Sequence, residues 1–295
     1  MSDARAGWIF VAPALGAIAL FLLAPVAASL ALSFTDYDLY AVADPANLRF
    51  VAIANYRDLL ADPLFWRALR NTAYFAFVGG PLSVAVSLAA ALAVNARLTR
   101  FRALFRTLLF LPVVTTLVAV AIVWRYLYHP RIGLVDELLG ALGLPAIDWL
   151  GDPRWAMPAL IVLAVWKGFG FNMVIFVAGL QSIPERLYEA ARLDGAGRFA
   201  ELRHVTLPAL APTAFFVAVM TMIGSLQLFA EPYVMTQGGP AFATLSVVLL
   251  MFQEGFRYWN LGYAAAVAFV LFAILLAGTA IQLRLRPIAS GGERA

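Results

Sequence analysis

Six long apolar stretches decide what this chain can fold into. Crossing the hydrocarbon core of a bilayer, about 30 Å thick, takes ~20 mostly apolar residues in a helix. Stretches of roughly this length occur at residues 8–34, 72–94, 107–124, 156–180, 209–230 and 260–281. None shows the alternation of apolar and polar residues that transmembrane barrel strands require. The sequence therefore predicts an all-α polytopic membrane protein with six transmembrane helices in a single domain, residues 1–295.

The composition supports a chain whose surroundings are largely lipid. Of its 295 residues, 63% are hydrophobic and 13% are charged, whereas soluble domains carry about 25% charged residues. Cysteine is absent, and the two histidines, His129 and His204, do not form a metal-ligand spacing. We therefore expect no catalytic residue and no metal site. Arginines dispersed between the apolar stretches account for the net charge of +4 without a nucleic-acid partner.

The only lysine, Lys167, excludes a common kind of ATP site. A Walker A loop requires the pattern G-x-x-x-x-G-K-[ST], but Lys167 follows Ala164, Val165 and Trp166. The chain therefore has no Walker A loop, and we expect it to bind no cofactor itself.

Arginine placement predicts the orientation in the membrane. With the N-terminus in the cytoplasm, the cytoplasmic segments carry 12 arginines and the outer segments carry 8, in the direction of the positive-inside rule. The clearest marker is the short segment 95–106, which contains Arg97, Arg100, Arg102 and Arg106. Both termini are therefore predicted to be cytoplasmic.

The polar segment 181–208 predicts a helix-turn-helix on the cytoplasmic face. Ser182 to Glu185 has the pattern of a capping box, and Asp194-Gly195 is a typical helix stop. A second short helix is predicted at 197–204, ended by Pro208. Two interpretations of this segment remain open. Its small residues with flanking charges suit a protein-docking surface, and its polarity also suits a connector that lies on lipid headgroups.

Polar residues inside two stretches indicate a ligand pathway. A charge within a membrane span costs about 2.5–3.5 kcal/mol and is a functional candidate, and Lys167 lies near the middle of the fourth stretch. Helical spacing gives it a shared face with Phe171, and Gly168 a shared face with Asn172. On the fifth stretch the candidates are Thr221, Ser225, Gln227 and Leu228. Such residues suit a polyhydroxylated ligand.

The alternative is structural. Lys167 would then pair with an acid or a carbonyl group to hold the helices together, and the small polar residues of the fifth stretch would be helix-packing contacts. Glu231 is expected to cap a helix rather than to contact another protein.

The segment from Glu189 to Pro208 resembles a known motif. Glu189, Ala190, Ala191, Gly195, Leu207 and Pro208 match the EAA loop of ABC-importer permeases, E-A-A-x3-G-x9-I-x-L-P, with Val205 in place of isoleucine. The resemblance extends over nearly the whole chain and is greatest to the carbohydrate-importer branch, the maltose and glycerol-3-phosphate permease type. The stretches that resemble this branch are Phe50–Tyr56, Asp62–Thr72, Arg106–Pro112 and Thr236–Pro240.

The resemblance implies partners and roles. The chain would pair with a second, related but different permease in the bacterial inner membrane. Two ATPase subunits would bind ATP and Mg²⁺, and an extracytoplasmic solute-binding protein would deliver a sugar-like solute. Glu189 would pair with a basic residue of the ATPase, Ala190 and Ala191 would pack closely there, and Gly195 would form the turn after Asp194. Positions equivalent to Lys167, Gly168, Phe171, Thr221, Ser225 and Leu228 line the sugar site of the maltose permease.

Two other functions share part of this pattern. A permease for a non-sugar solute would share the same EAA loop. An ion-coupled secondary transporter would need a titratable carboxylate within the membrane, and no Asp or Glu lies well inside any predicted span.

Overall fold

The computed structural model describes residues 3–96 and 101–284. Helices make up 77% of the structure, and the described residues contain no strand beyond the isolated bridge between Thr35 and Phe50. The all-α prediction is therefore confirmed. Arg97 and Arg100 of the predicted orientation marker lie outside the described residues, so the cytoplasmic position of both termini stays a prediction.

Sixteen α-helices are found in the described residues. The first half of the chain contains α1 (Asp3–Ile18), α2 (Ala24–Leu32), α3 (Leu39–Ala43), α4 (Ala54–Ala61), α5 (Pro63–Tyr74), α6 (Gly80–Asn95), α7 (Arg102–Val114), α8 (Leu117–Leu127) and α9 (Leu134–Ala141). The second half contains α10 (Ala156–Gln181), α11 (Glu185–Leu193), α12 (Arg198–Glu201), α13 (Leu207–Leu226), α14 (Ala230–Met235), α15 (Val247–Phe252) and α16 (Leu261–Arg284).

Short segments of other helix types connect several of these helices. π-Helical turns lie at Ala19–Leu23, Phe75–Gly79, Leu202–Thr206 and Gln253–Arg257, and a 3₁₀ turn lies at Pro45–Asn47. A π-helical turn inserts an extra residue into a helix without ending it. The turn at Phe75–Gly79 therefore lets α5 and α6 run on as one long helix.

Five helices of the described residues are long and apolar enough to cross a bilayer. They are Phe10–Leu32, Pro63–Asn95, Ala156–Gln181, Arg198–Leu226 and Leu261–Arg284. Each overlaps a predicted stretch, although two of them, Pro63–Asn95 and Arg198–Leu226, begin well before the predicted residue. The sixth candidate is the pair Ala103–Val114 and Leu117–Leu127, which is bent by 96°. The third predicted span, 107–124, is therefore not one continuous helix.

Local sequence favours a break between α7 and α8. Pro112 has no backbone N–H and its ring disfavours a continuing helix. Thr115 and Thr116 then adopt extended backbone conformations, with ψ angles of 146° and 139°. Both are β-branched residues, which lose side-chain freedom in a helix. The chain therefore leaves the helix after Val114 and resumes it at Leu117 in a new direction.

The structure contains two compact units, Arg67–Leu249 with Leu275–Ala295, and Met1–Trp66 with Leu250–Ile274. In the first of these, α10 is the central helix and packs against α6, α7 and α13. Two apolar clusters lie along it. Leu160 and Leu163 belong to one cluster, and Met173 and Phe176 belong to the other.

Glycines let α10 approach its neighbours closely. A Cβ atom at Gly170 would lie 2.5 Å from the Leu109 carbonyl oxygen of α7, and one at Gly179 would lie 2.7 Å from Thr213 Oγ1 of α13. Small residues at helix contacts are typical of membrane proteins, where close packing replaces the hydrophobic effect as the force between helices.

Polar contacts organise the other unit. Asn55 Nδ2 donates to the Ser33 and Thr35 carbonyl oxygens at 2.9 and 2.8 Å, and Tyr263 Oη donates to Asp62 at 3.1 Å. The backbone N–H of Gly262 donates to the Tyr37 carbonyl at 2.9 Å. These bonds join α4 and α16 to each other and to the loop after α2.

We expect the substitution Gly170→Ala to destabilise the protein by about 1–3 kcal/mol, because the added methyl group would collide with the α7 backbone. Thermal unfolding of the purified protein in detergent measures this loss of stability as a lower melting temperature. Gly278→Ala in α16 is the matched control, since a Cβ atom there meets nothing within 4 Å. Equal melting temperatures of the two variants would contradict the close contact at Gly170.

Candidate functional site

A pocket of about 420 Å³ lies among the helices of the unit built around α10. This volume is in the range of ~300–1,000 Å³ that small-molecule sites occupy. Helices α6, α10, α13 and α14 and the π-helical turn before α6 provide its wall. The lining residues are Phe75, Ser83, Ala164, Gly168, Phe171, Asn172, Met220, Thr221, Gly224, Ser225, Gln227, Leu228, Phe229, Ala230 and Glu231.

The pocket contains seven of the eight residues predicted for a ligand pathway. They are Gly168, Phe171, Asn172, Thr221, Ser225, Gln227 and Leu228. Residues from two distant stretches of sequence therefore meet around one cavity. Asn172 Nδ2 donates to Thr221 Oγ1 at 3.1 Å and so joins α10 to α13 across the wall.

Lys167 does not line the pocket. Its ammonium group donates to the Thr115 carbonyl oxygen at 2.9 Å and to the Pro112 carbonyl oxygen at 3.3 Å. These carbonyls belong to the end of α7, where the last turn of a helix leaves its carbonyl groups without partners in the helix. The contacts favour the structural interpretation, in which Lys167 pairs with carbonyl groups and holds α10 to the end of α7.

Several lining residues were not among the predicted ones. Ser83 is a polar residue within an apolar stretch, and that signal could have marked it. Phe75 and Phe229 carry no such signal, because aromatic residues are common throughout this sequence. Glu231 was expected to cap a helix. It lies in the first turn of α14, whose N-cap residue is Phe229, so it does not occupy the cap position, and it lines the pocket.

The cytoplasmic segment predicted at 181–208 contains α11 and α12. Helix α11 ends at Leu193, close to the predicted stop. Gly195 then takes a φ of +81°, which favours glycine. The Ala196 N–H donates to the Ala191 carbonyl at 2.9 Å, which closes the turn.

Two details of this prediction are wrong. Ser182 Oγ does not cap α11 but donates to the Gly179 carbonyl of α10 at 2.8 Å. Pro208 does not break the chain, since Arg198–Leu226 forms one span. The π-helical turn at Leu202–Thr206 precedes α13 and places Pro208 in the first turn of α13, where its missing N–H costs little.

Side-chain bonds fix α11 against the segment that follows it. Arg192 lies between two glutamates, with Nε 2.8 Å from Glu201 Oε1 and a terminal guanidinium nitrogen 3.5 Å from Glu185 Oε1. The hydrogen bond to Glu201 raises the pKa of Arg192, so this cation stays charged. Tyr188 Oη and Thr206 Oγ1 are 3.0 Å apart and share a hydrogen bond. The two helices are therefore held as one rigid piece.

The outer face of this segment carries the predicted motif. Glu189, Ala190, Asp194, Gly195, Leu207 and Pro208 are exposed, and Ala191 is half-buried. Of the three glutamates in the segment, Glu185 and Glu201 pair with Arg192, whereas Glu189 makes no ion pair within the described residues. Two large apolar side chains absent from the prediction, Leu193 at 89% exposure and Phe199 at 73%, are also on the surface.

Comparison with known proteins identifies the family. Residues 82–288 match the family of binding-protein-dependent transport system inner membrane components. This chain belongs to that family. It is a permease subunit, as the resemblance of the Glu189–Pro208 segment implied.

Two relatives are similar to this permease over most of their length. The lactose transport system permease protein LacF of Rhizobium radiobacter is 38% identical over 90% of this chain and 88% of LacF. The trehalose/maltose transport system permease protein MalF of Thermococcus litoralis is 32% identical over 96% of this chain and 94% of MalF. A solved bacterial alginate ABC transporter, in complex with a periplasmic protein that holds an alginate pentasaccharide, contains a chain of the same fold. That chain has a TM-score of 0.82 and 22% identity, and the match covers 98% of both chains.

We expect Lys167→Met to destabilise the permease by about 1.5–3 kcal/mol, because a charged donor is lost from two carbonyl groups. Solute recognition should change little, since Lys167 lies outside the pocket. Thermal unfolding and solute binding of the same purified complex measure the two effects. Weakened solute binding at an unchanged melting temperature would instead place Lys167 in the ligand pathway.

Proposed function

We propose that this chain is one of two permease subunits of an ABC importer that carries a sugar or sugar-like solute across the bacterial inner membrane. The pocket carries this proposal. It combines aromatic side chains with neutral hydrogen-bonding groups, and it lies among helices that cross the membrane. The names of LacF and MalF, which describe lactose and trehalose/maltose transport, agree with a saccharide as the solute.

The lining chemistry suits a saccharide. Sugar rings present apolar C–H faces and many hydroxyl groups. Phe75, Phe171 and Phe229 offer aromatic surfaces, and Ser83, Asn172, Thr221, Ser225 and Gln227 offer hydroxyl and amide groups that can both donate and accept hydrogen bonds. Because few of these groups are charged, a solute would not need to lose strong ionic hydration to enter.

ATP hydrolysis would take place on partner subunits, which would hold the ATP and Mg²⁺. This chain lacks a Walker A loop and would supply the docking segment instead. The rigid α11–α12 piece exposes Glu189 for a basic residue of the ATPase, with Ala190 allowing close approach. Exposed Leu193 and Phe199 add apolar area that suits a protein surface.

The second permease would be a related but different chain. Residues 10–31 of the span Phe10–Leu32 are all exposed in this chain, and side chains such as Phe10 and Phe21 are 84% and 78% exposed. Lipid or a second permease therefore surrounds it. An extracytoplasmic solute-binding protein would deliver the solute, as the family description implies.

We expect Glu189→Lys to reduce solute transport and solute-stimulated ATP hydrolysis by at least about tenfold, because the exposed carboxylate would become a cation facing a basic partner. Solute uptake into liposomes that contain the reconstituted importer measures transport, and phosphate release in the same liposomes measures ATP hydrolysis. Glu137→Lys on α9 reverses the charge of another exposed glutamate and should leave both activities unchanged. Full transport by Glu189→Lys, or transport without ATP, would contradict the importer proposal.

A second test addresses the pocket. Gly168→Leu should lower transport about tenfold while the melting temperature stays within ~2 °C, because a Cβ atom at Gly168 meets nothing within 4 Å and the longer side chain would occupy the cavity. Gly278→Leu, at an open position outside the pocket, is its control. Equal transport by the two variants would show that the solute does not pass through this cavity.

A further inference from the structure

Among the residues that the structure describes, one acidic residue and no basic one line the pocket. Glu231 is the only ionisable side chain among the described residues that line it. The other polar lining groups, Ser83, Asn172, Thr221, Ser225 and Gln227, are neutral. A solute in this cavity therefore meets a carboxyl group but no cation on its wall.

The nearest candidate for a compensating cation is engaged elsewhere. Lys167 is on α10, one residue before Gly168, but its ammonium group donates to the carbonyls of Pro112 and Thr115 and does not line the pocket. A carboxylate or sulfonate on a solute would find no guanidinium or ammonium group there with which to form a charge-assisted bond.

The surroundings of Glu231 act on its charge in opposite directions. Glu231 follows the fifth span, in the first turn of α14. Burial is the largest effect and raises the pKa of its carboxyl group above the ordinary value, whereas its own backbone N–H and the Lys167 charge act in the opposite direction.

An ionised Glu231 would affect neutral and anionic solutes differently. A carboxylate has two oxygens that accept hydrogen bonds from hydroxyl groups of a sugar, and such bonds to a charged acceptor are stronger than neutral ones. The same charge repels a carboxylate on the solute, and this repulsion is stronger in a partly buried site than in water.

We propose that Glu231 determines specificity by charge, so that the pocket takes neutral or cationic saccharides and excludes acidic ones. This inference rests on the proposed function, since it assigns a solute class to the same cavity. The fold shared with a transporter of alginate, an acidic polysaccharide, does not extend to its solute, because fold likeness at this level of identity does not determine what a site binds.

The test compares matched sugars on the purified importer complex in lipid nanodiscs, without the binding protein, so that only the permease selects. Equilibrium dialysis with radiolabelled glucose, glucosamine and glucuronate, and with the corresponding galactose series, gives the ratios of their dissociation constants. We expect the wild-type complex to bind the neutral sugar and the amine at least about tenfold more tightly than the uronate.

The variant Glu231→Gln keeps the size and hydrogen-bonding capacity of the side chain but removes its charge. We expect the ratio between neutral sugar and uronate to fall to within about twofold, because uronate binding is gained while neutral sugar binds less tightly but measurably. Glu137→Gln removes a carboxylate from an exposed position outside the pocket and should leave the ratio unchanged. An unchanged ratio in Glu231→Gln, or equal binding of uronate and neutral sugar by wild type, would overturn the inference.

A second variant covers the case in which Glu231→Gln does not assemble. Gln227→Glu adds a carboxylate to the same wall and should deepen the exclusion of uronates at least about threefold, and an unchanged ratio there would again overturn the inference. Failure of the proposed function would give a different result from failure of this inference. No sugar of either charge would then bind wild type, and sugar transport by the complete importer would be absent.

Discussion

The structure depends on how backbone carbonyl groups are satisfied where a helix is interrupted inside an apolar environment. A polar group without a partner in hydrocarbon costs several kcal/mol, so non-helical backbone at membrane depth needs compensating bonds. The break between α7 and α8 creates this demand at Pro112 and Thr115. Lys167 meets it with one ammonium group that donates to both carbonyls, while Thr115 Oγ1 donates to the Pro112 carbonyl at 2.7 Å.

This arrangement explains why a lysine is present within a span at all. A charged side chain there is unfavourable by itself, but the end of α7 carries the partial negative charge of a helix C-terminus, which favours a nearby cation. The same contact holds α10 against α7, where Gly170 removes the side chain that would separate them. A bond and a close packing contact on neighbouring turns of α10 therefore hold the bent pair in place.

Much of this could be predicted from sequence because the membrane imposes a simple rule. Apolar length alone marked the spans, and helical periodicity marked the pocket residues of α10 and α13, since residues at i and i+4 share a face whatever surrounds them. The bend after Val114 could not be predicted in this way. Proline within a membrane helix is compatible with both a straight and a broken span, and the outcome depends on a lysine 55 residues later that provides the missing bonds.

The pocket and the 181–208 segment likewise combine features that sequence predicts with features that it does not. The end of α11 was predictable because Asp194-Gly195 is a local signal. The function of Ser182 was not, because its hydroxyl has a competing acceptor in the last turn of α10. Glu231 could be placed at a helix start, but only the fold shows that this start faces a cavity. Local signals such as a helix stop can be predicted from sequence, whereas the choice between competing hydrogen-bond partners depends on the tertiary structure.

The segment 181–208 is connected directly to the helices that line the pocket. Helix α10 ends at Gln181, immediately before the segment, and the span that includes α13 begins within it at Arg198. These two helices provide most of the lining, and the Asn172–Thr221 bond joins them at the cavity wall. A displacement of the rigid α11–α12 piece would therefore act on both walls through continuous helices. Such coupling needs no extended chain of side-chain contacts, because the α11–α12 piece and the helices that line the pocket are consecutive in sequence.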